Sequence, residues 1–204
     1  GHETTHGINS HARNNLNNTG RRANGFYCMN DRVAIIVEPA MRKSAVAAYV
    51  PTSLRGSRYS TYITGAPDWD DRPLYIFDEW VAYTNGSEVG VNLQRAGLWR
   101  YGWRDGVAGT LEFTLYALAT AMAVEAQDPA YFRDHTQFRA FVAWNARRAI
   151  ELYRAGAATE SFRWDRQDAM YRGLQVNPDA EAMRAFARRV FGAAWATEVL
   201  GLTP

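Results

Sequence analysis

The chemistry in this chain starts at its first residues. His2-Glu3-Thr4-Thr5-His6 fits the pattern H-E-x-x-H. On a helix, positions i and i+4 project from one face, so the two imidazoles can share one tetrahedral ion. Glu3 follows the first imidazole directly, where its carboxylate reaches a bound water instead of the ion. Such a set supports hydrolysis. Zinc lowers the pKa of a water toward neutrality, a carboxylate takes the proton, and the resulting nucleophile attacks a polarised carbonyl. His2 and His6 are therefore expected ligands and Glu3 an expected general base.

A third ligand is needed, and the chain has only four histidines. His11 falls five residues past His6, and Gly7 follows His6 at once, so the metzincin spacing HExxHxxGxxH fails. His135, between Asp134 and Thr136, reads as a solvated or capping residue. Glu79 is the better choice. Ile76, Glu79, Trp80 and Tyr83 follow i, i+3, i+4, i+7 and share a helix face. A carboxylate among Ile, Trp and Tyr is expensive to bury unless it is paired or binds a metal. Pairing with an arginine such as Arg72 is the competing reading.

HExxH followed by a glutamate on a second helix resembles the gluzincin group of zinc metallopeptidases. The resemblance rests on His2, Glu3, His6 and the segment Asp78-Glu79-Trp80-Val81-Ala82-Tyr83. It implies Zn²⁺ held by His2, His6 and Glu79, Glu3 as general base, and a peptide or protein substrate. Gluzincins often use a Tyr or His to hydrogen-bond the oxyanion. Tyr75 and Tyr83, one turn either side of Glu79, are the residues placed to do so here. Asp78 or Asn9 would orient a ligating imidazole, and Arg13 would reach a substrate carboxylate or an acidic neighbour. The alternative is a non-catalytic helical binding domain in which the HExxH is accidental, tag-derived or degenerate.

The elements that must position these residues are mostly helices. The N-terminal third is polar and loop-rich around Asn14–Gly25, and Val33–Val37 is a β-branched run that predicts a strand ended by Pro39. Residues 40–49 suit a short helix, and Tyr59–Thr64 a short extended piece. The Glu79 helix is expected from about Leu74 to Asn85, with Gly86 as its stop. Thr110–Gln127, Ala130–Ala155 and Asp179–Leu200 carry apolar residues at helical spacing. Phe138, Phe141, Val142, Asn145, Ala149 and Leu152 mark one face of the second. The fold class is mainly α (α+β), a helical zincin-like domain with a small β element near the N-terminus. Residues 1–204 read as a single domain, with 1–106 as the metal-site half and 107–204 as the helical half.

Composition excludes other classes. The 204 residues are 47% hydrophobic and 22% charged, enough for a core without disulfides, and the one cysteine, Cys28, permits none. As a lone Cys it reads as a small buried hydrophobe. A net charge of +2 gives no field that would draw nucleic acid. Of the 23 basic residues one is lysine, Lys43. Phe113–Val124 is the most apolar stretch, about half the length that spans a bilayer, and reads as a buried helix. No basic start precedes an apolar run, so nothing resembles a targeting segment, and neither compartment nor oligomeric state is readable. Arg55-Gly56-Ser57-Arg58-Tyr59 reads as an exposed loop able to meet an anion. Trp99-Arg100-Tyr101-Gly102-Trp103-Arg104 reads as a loop packed over the helices. Asn85-Gly86-Ser87 is a formal glycosylation sequon.

Overall fold

Helix α3, Gly106–Gln127, is apolar around nearly its whole circumference, which requires neighbours on every side. In the computed structural model, which describes residues 1–30, 32–102, 106–164 and 166–203, α3 is the buried axis of the molecule. It is long and apolar enough to cross a membrane, but its most apolar stretch lies inside the bundle. Its internal threonines return their hydroxyls to the helix, as Thr114 does to the Thr110 carbonyl (2.8 Å) and Thr120 to that of Tyr116 (2.8 Å).

Packed on α3 are α2 (Tyr75–Arg95) and α5 (Thr136–Ala157), with α4 (Pro129–Asp134), α6 (Gln167–Val176), α7 (Glu181–Phe191) and α8 (Ala193–Leu200) closing the far side. Asp128 caps α4 by accepting from the Tyr131 amide, and Pro129 follows at the first helical position. Trp80 on α2 donates its indole N–H to Thr114 on α3 (3.1 Å). Phe77 of α2 stacks on Phe138 of α5 (5.6 Å between ring centres), and Phe141 of α5 stacks on Phe26 (5.1 Å). One continuous apolar core thus joins the two halves of the chain.

The N-terminal helix α1, His2–His11, and the hairpin β1 (Ala23–Tyr27) and β2 (Val33–Val37) lie against α2. The strands pair antiparallel, with Gly25 opposite Ile35. Gly25 admits the end of the N-terminal helix, since a Cβ there would sit 2.6 Å from the Ala12 Cβ. The fold is mainly helical with a small two-stranded sheet near the N-terminus, as expected.

Several local expectations need correction. The α2 helix does not stop at Gly86 but runs on to Arg95, because Gly86 faces α1 and the chain beyond it continues to bury Ser87, Gly90 and Val91. Ala130–Ala155 is broken at His135, and Asp179–Leu200 at Gly192, whose φ of 95° no α-helix contains. Tyr59–Thr64 is a widened helical turn, not an extended piece. Strand β1, hidden in an Asn- and Gly-rich stretch, pairs the predicted β2.

Candidate metal centre

Little apolar surface holds α1 in place. Its buried side chains before Ala12 are two polar ones, Thr5 and Asn9, at i and i+4 on the face turned to α2. Thr5 Oγ1 accepts from Asn85 Nδ2 (3.2 Å). Asn9, fully buried, donates from Nδ2 to Asp78 Oδ1 (2.5 Å) and accepts the Tyr27 amide N–H at Oδ1 (2.6 Å). One side chain therefore ties α1 to both α2 and β1. Directional bonds of this kind set helix register more narrowly than apolar contact does.

This register turns His2 and His6 toward Glu79 on α2. The His2 and His6 Nε2 atoms lie 3.2 Å apart, and Glu79 Oε2 is 3.8 Å from the first and 3.6 Å from the second. Ligand bonds of about 2.0–2.1 Å in tetrahedral geometry separate neighbouring ligand atoms by about 3.3 Å. The spacing thus suits one small ion. Glu79 is 7% exposed, and its Oε2 is buried with no hydrogen-bond partner. In the metal-free protein the imidazoles of His2 and His6, 3.6–3.8 Å away, face this buried oxygen, an arrangement in which a metal ion between the three would offset its charge better. The donor set, two imidazole nitrogens and a carboxylate with room for a fourth ligand, matches the preferences of Zn²⁺. Among the described residues, these three form the cluster able to hold a metal.

The support behind the ligands is equally specific. His6 Nδ1 faces Asp78 Oδ1 at 3.3 Å, which places the ring proton there and turns Nε2 to the site. That bond, with Glu79 beside it, raises the His6 pKa to about 10 in the metal-free protein. His2 moves the other way, lowered by burial and by His6, so its lone pair stays available. Arg13 meets an acidic neighbour: Nη1 is 3.9 Å from Asp78 Oδ2 and donates to Asn24 Oδ1 (2.9 Å). Glu79 makes no ion pair with Arg72, whose guanidinium lies over the Trp69 ring instead.

Glu3 projects on the open side, its side chain 91% exposed and Oε1 3.9 Å from His2 Nε2. Tyr83 presents its ring edge-on to His2 (4.6 Å between centres) and lines a cleft that includes His2, Glu3 and Tyr62. Tyr75 does not line that cleft. It stacks on Trp69 (4.9 Å) and faces Glu79, which together with burial pushes its hydroxyl pKa upward. Tyr62, which sequence reasoning passed over, takes the place beside Tyr83. Burial and the Glu79 charge keep it protonated, hence a hydrogen-bond donor, across the physiological range.

Two buried cations hold this wall. Arg58, far from being an exposed anion-binding residue, is 7% exposed. It donates to Glu112 from its backbone N–H (2.7 Å) and Nη1 (3.0 Å), and from Nε to the Tyr83 hydroxyl (3.1 Å). The signal for it was Glu112, a carboxylate at the edge of an apolar helix that had to find a partner. Lys43, 1% exposed, donates from Nζ to the carbonyls of Tyr62 (3.0 Å), Ile63 (3.0 Å) and Gly65 (2.6 Å), using all three protons.

The remaining residues lie elsewhere. His11 is exposed at the end of α1 against Asn15, and His135 stacks on Tyr131 (4.0 Å) between α4 and α5. Cys28 is buried, and its thiol donates to the Phe26 carbonyl (3.4 Å). Asn85 is 1% exposed and bonded to Thr5, Tyr27 and Arg148, so this sequon is closed in the folded chain. Trp103 and Arg104 lie outside the described residues. No family model, curated protein or solved structure matches the chain.

Proposed function

We propose that the chain is a zinc-dependent hydrolase, a metallopeptidase of gluzincin type. What carries the reading is the convergence of His2 Nε2, His6 Nε2 and the buried, unpartnered Glu79 Oε2 at spacings of 3.2–3.8 Å. A Zn²⁺ held there supplies Lewis acidity to a water and to the carbonyl of the bond to be cut.

The chain's own residues do the rest. Glu3 Oε1, on the solvent side of His2, accepts the proton that the water gives up and passes it to the leaving amine. Asp78 keeps the His6 proton on Nδ1, so that Nε2 is the ligand. Tyr83 receives the Arg58 N–H and is thereby a stronger donor through its own O–H, facing charge that develops on the carbonyl oxygen. Tyr62 stands as a second donor on the same wall, with Lys43 holding its backbone. Tyr75 supports Glu79.

Protein purified without metal should take up about one Zn²⁺ per chain, and Glu3→Gln should retain the metal while losing hydrolysis of casein or a peptide library. Absence of zinc uptake at micromolar concentration would leave the binding-domain alternative in its place. Activity that survives Glu3→Gln would remove Glu3 as the base.

A further inference from the structure

The cleft beside the donor set has a volume of about 670 Å³, within the range of about 300–1,000 Å³ common to small-molecule sites. Its floor is a stripe of α2, Tyr83, Gly86, Gly90 and Leu93, spaced i, i+3, i+7, i+10. The stripe starts at the metal ligands: a Cβ on Gly86 would lie 3.5 Å from the His2 Cβ. One turn on, about 6 Å along the axis, a Cβ on Gly90 would lie 3.2 Å from Phe162 Cζ and 3.6 Å from Trp99 Cζ3. Trp99 stands edge-on to both Phe162 (4.9 Å) and Tyr101 (5.2 Å).

These features make an aromatic box one helical turn from the reacting centre. Glycine weakens a helix interior, and α2 carries two on this face: Gly86 lets α1 come close, and Gly90 lets Phe162 and Trp99 pack down onto the helix, so that the rings themselves wall the cleft. Tyr101 is 63% exposed and Val89 37% exposed at the same cleft, so large apolar surface is left to solvent there. Among the described lining side chains, Glu3 is the one carboxylate and there is no lysine or arginine. The lining thus suits a flat, uncharged group and repels an anionic one.

We propose that this cleft is a specificity subsite that takes the aromatic side chain of the residue adjoining the bond to be cut. Its role next to that bond rests on the hydrolase reading; its preference for a ring does not. A turn of α2 separates the two features, which matches the reach of one side chain from its neighbouring peptide bond. Edge-to-face contact with Trp99 and Phe162 selects a ring over an aliphatic chain of similar area.

The test is a titration of the whole protein with N-acetyl-phenylalaninamide, N-acetyl-glycinamide and N-acetyl-aspartamide, read by the indole N–H resonance of Trp99 (assigned with Trp99→Phe). The phenylalanine derivative should bind about tenfold or more tightly than the other two, as expected where a ring finds a matching pocket. Gly90→Val pushes Phe162 off the helix and Phe162→Ala removes that wall; either should cut that affinity about tenfold, still read at Trp99, while zinc uptake is unchanged. Equal binding of the three amides, or wild-type binding by both variants, overturns the proposal. A peptide library separates the two readings. Cleavage without preference for aromatic residues removes the subsite and leaves the hydrolase; ring binding with no cleavage of any peptide leaves the aromatic site and removes the hydrolase.

Discussion

In the metal-free protein His6 holds its second ring proton up to a pKa of about 10, and its Nε2 lies 3.2 Å from His2 Nε2. A metal ion must displace that proton. Between pH 6.5 and about 10, zinc binding should therefore release about one proton from His6, and the apparent association constant should rise about tenfold per pH unit. From pH 7 to the top of that window the gain is about a thousandfold, or about 4 kcal/mol at 1.36 kcal/mol per unit. Calorimetry at pH 8 in buffers of different ionisation enthalpy counts the proton directly. Asp78 is the first cause of the raised value and Glu79 the second, so Asp78→Asn should bring the end of the slope to lower pH and reduce proton release at pH 8. The same change should weaken limiting zinc affinity by about 10–100-fold, since the residue behind a ligating imidazole is lost. Zinc affinity independent of pH from 7 to 9, or a slope that ends at the same pH in Asp78→Asn, would refute this account of the site.

Without metal, the raised His6 pKa also contributes to stability: the contribution is complete below about pH 6.5 and lost as pH rises through about 10, which urea titrations at pH 6 and 10 should register as a lower midpoint at the higher pH. Glu38, raised from 4.5 to about 7 chiefly by burial, has the opposite meaning, because its charged form is the one the fold disfavours. Stability should fall as pH rises from 4.5 through about 7, and Glu38→Gln, which can still accept from the Leu74 amide, should remove that slope. Asn9→Ala takes one donor from Asp78, which keeps His6 and Arg13, and leaves the Tyr27 amide without its acceptor, a loss of about 2 kcal/mol that a melting curve should show as about 4–8 °C. Glu112→Ala takes this carboxylate from the Arg58 guanidinium and from the Tyr116 hydroxyl, and should cost about 1–3 kcal/mol in denaturant titration; a loss below about 1 kcal/mol would contradict the role assigned to the pair.

That His2, His6 and Glu79 come together was legible because helical spacing puts each on a defined face, and a carboxylate among Ile76, Trp80 and Tyr83 is costly to bury without a partner. What supports them was less so. Asp78 and Asn9 were legible only as candidates, since the bond between them depends on how α1 crosses α2. Arg58 and Lys43 sit in turn-rich segments, where burial follows from tertiary packing and no periodicity announces it. Gly86 carries the usual mark of a helix end, yet its missing side chain lets α1 approach, and the helix runs on because Gly90 and Val91 have a core to meet. In the same way His135 and Gly192 interrupt stretches whose apolar pattern carries through unbroken, since neither residue changes the periodicity around it.

The position of Lys43 gives the molecule an unusual reactivity. It is the only lysine, and its Nζ is buried under three carbonyls, so the folded chain offers no side-chain amine to acylating reagents. Acylation at residue 43 requires the Tyr59–Thr64 turn to lift away first. The rate at which an amine-reactive label appears on that residue is then a clock for opening of the segment that carries Tyr62, and it runs without any engineered probe.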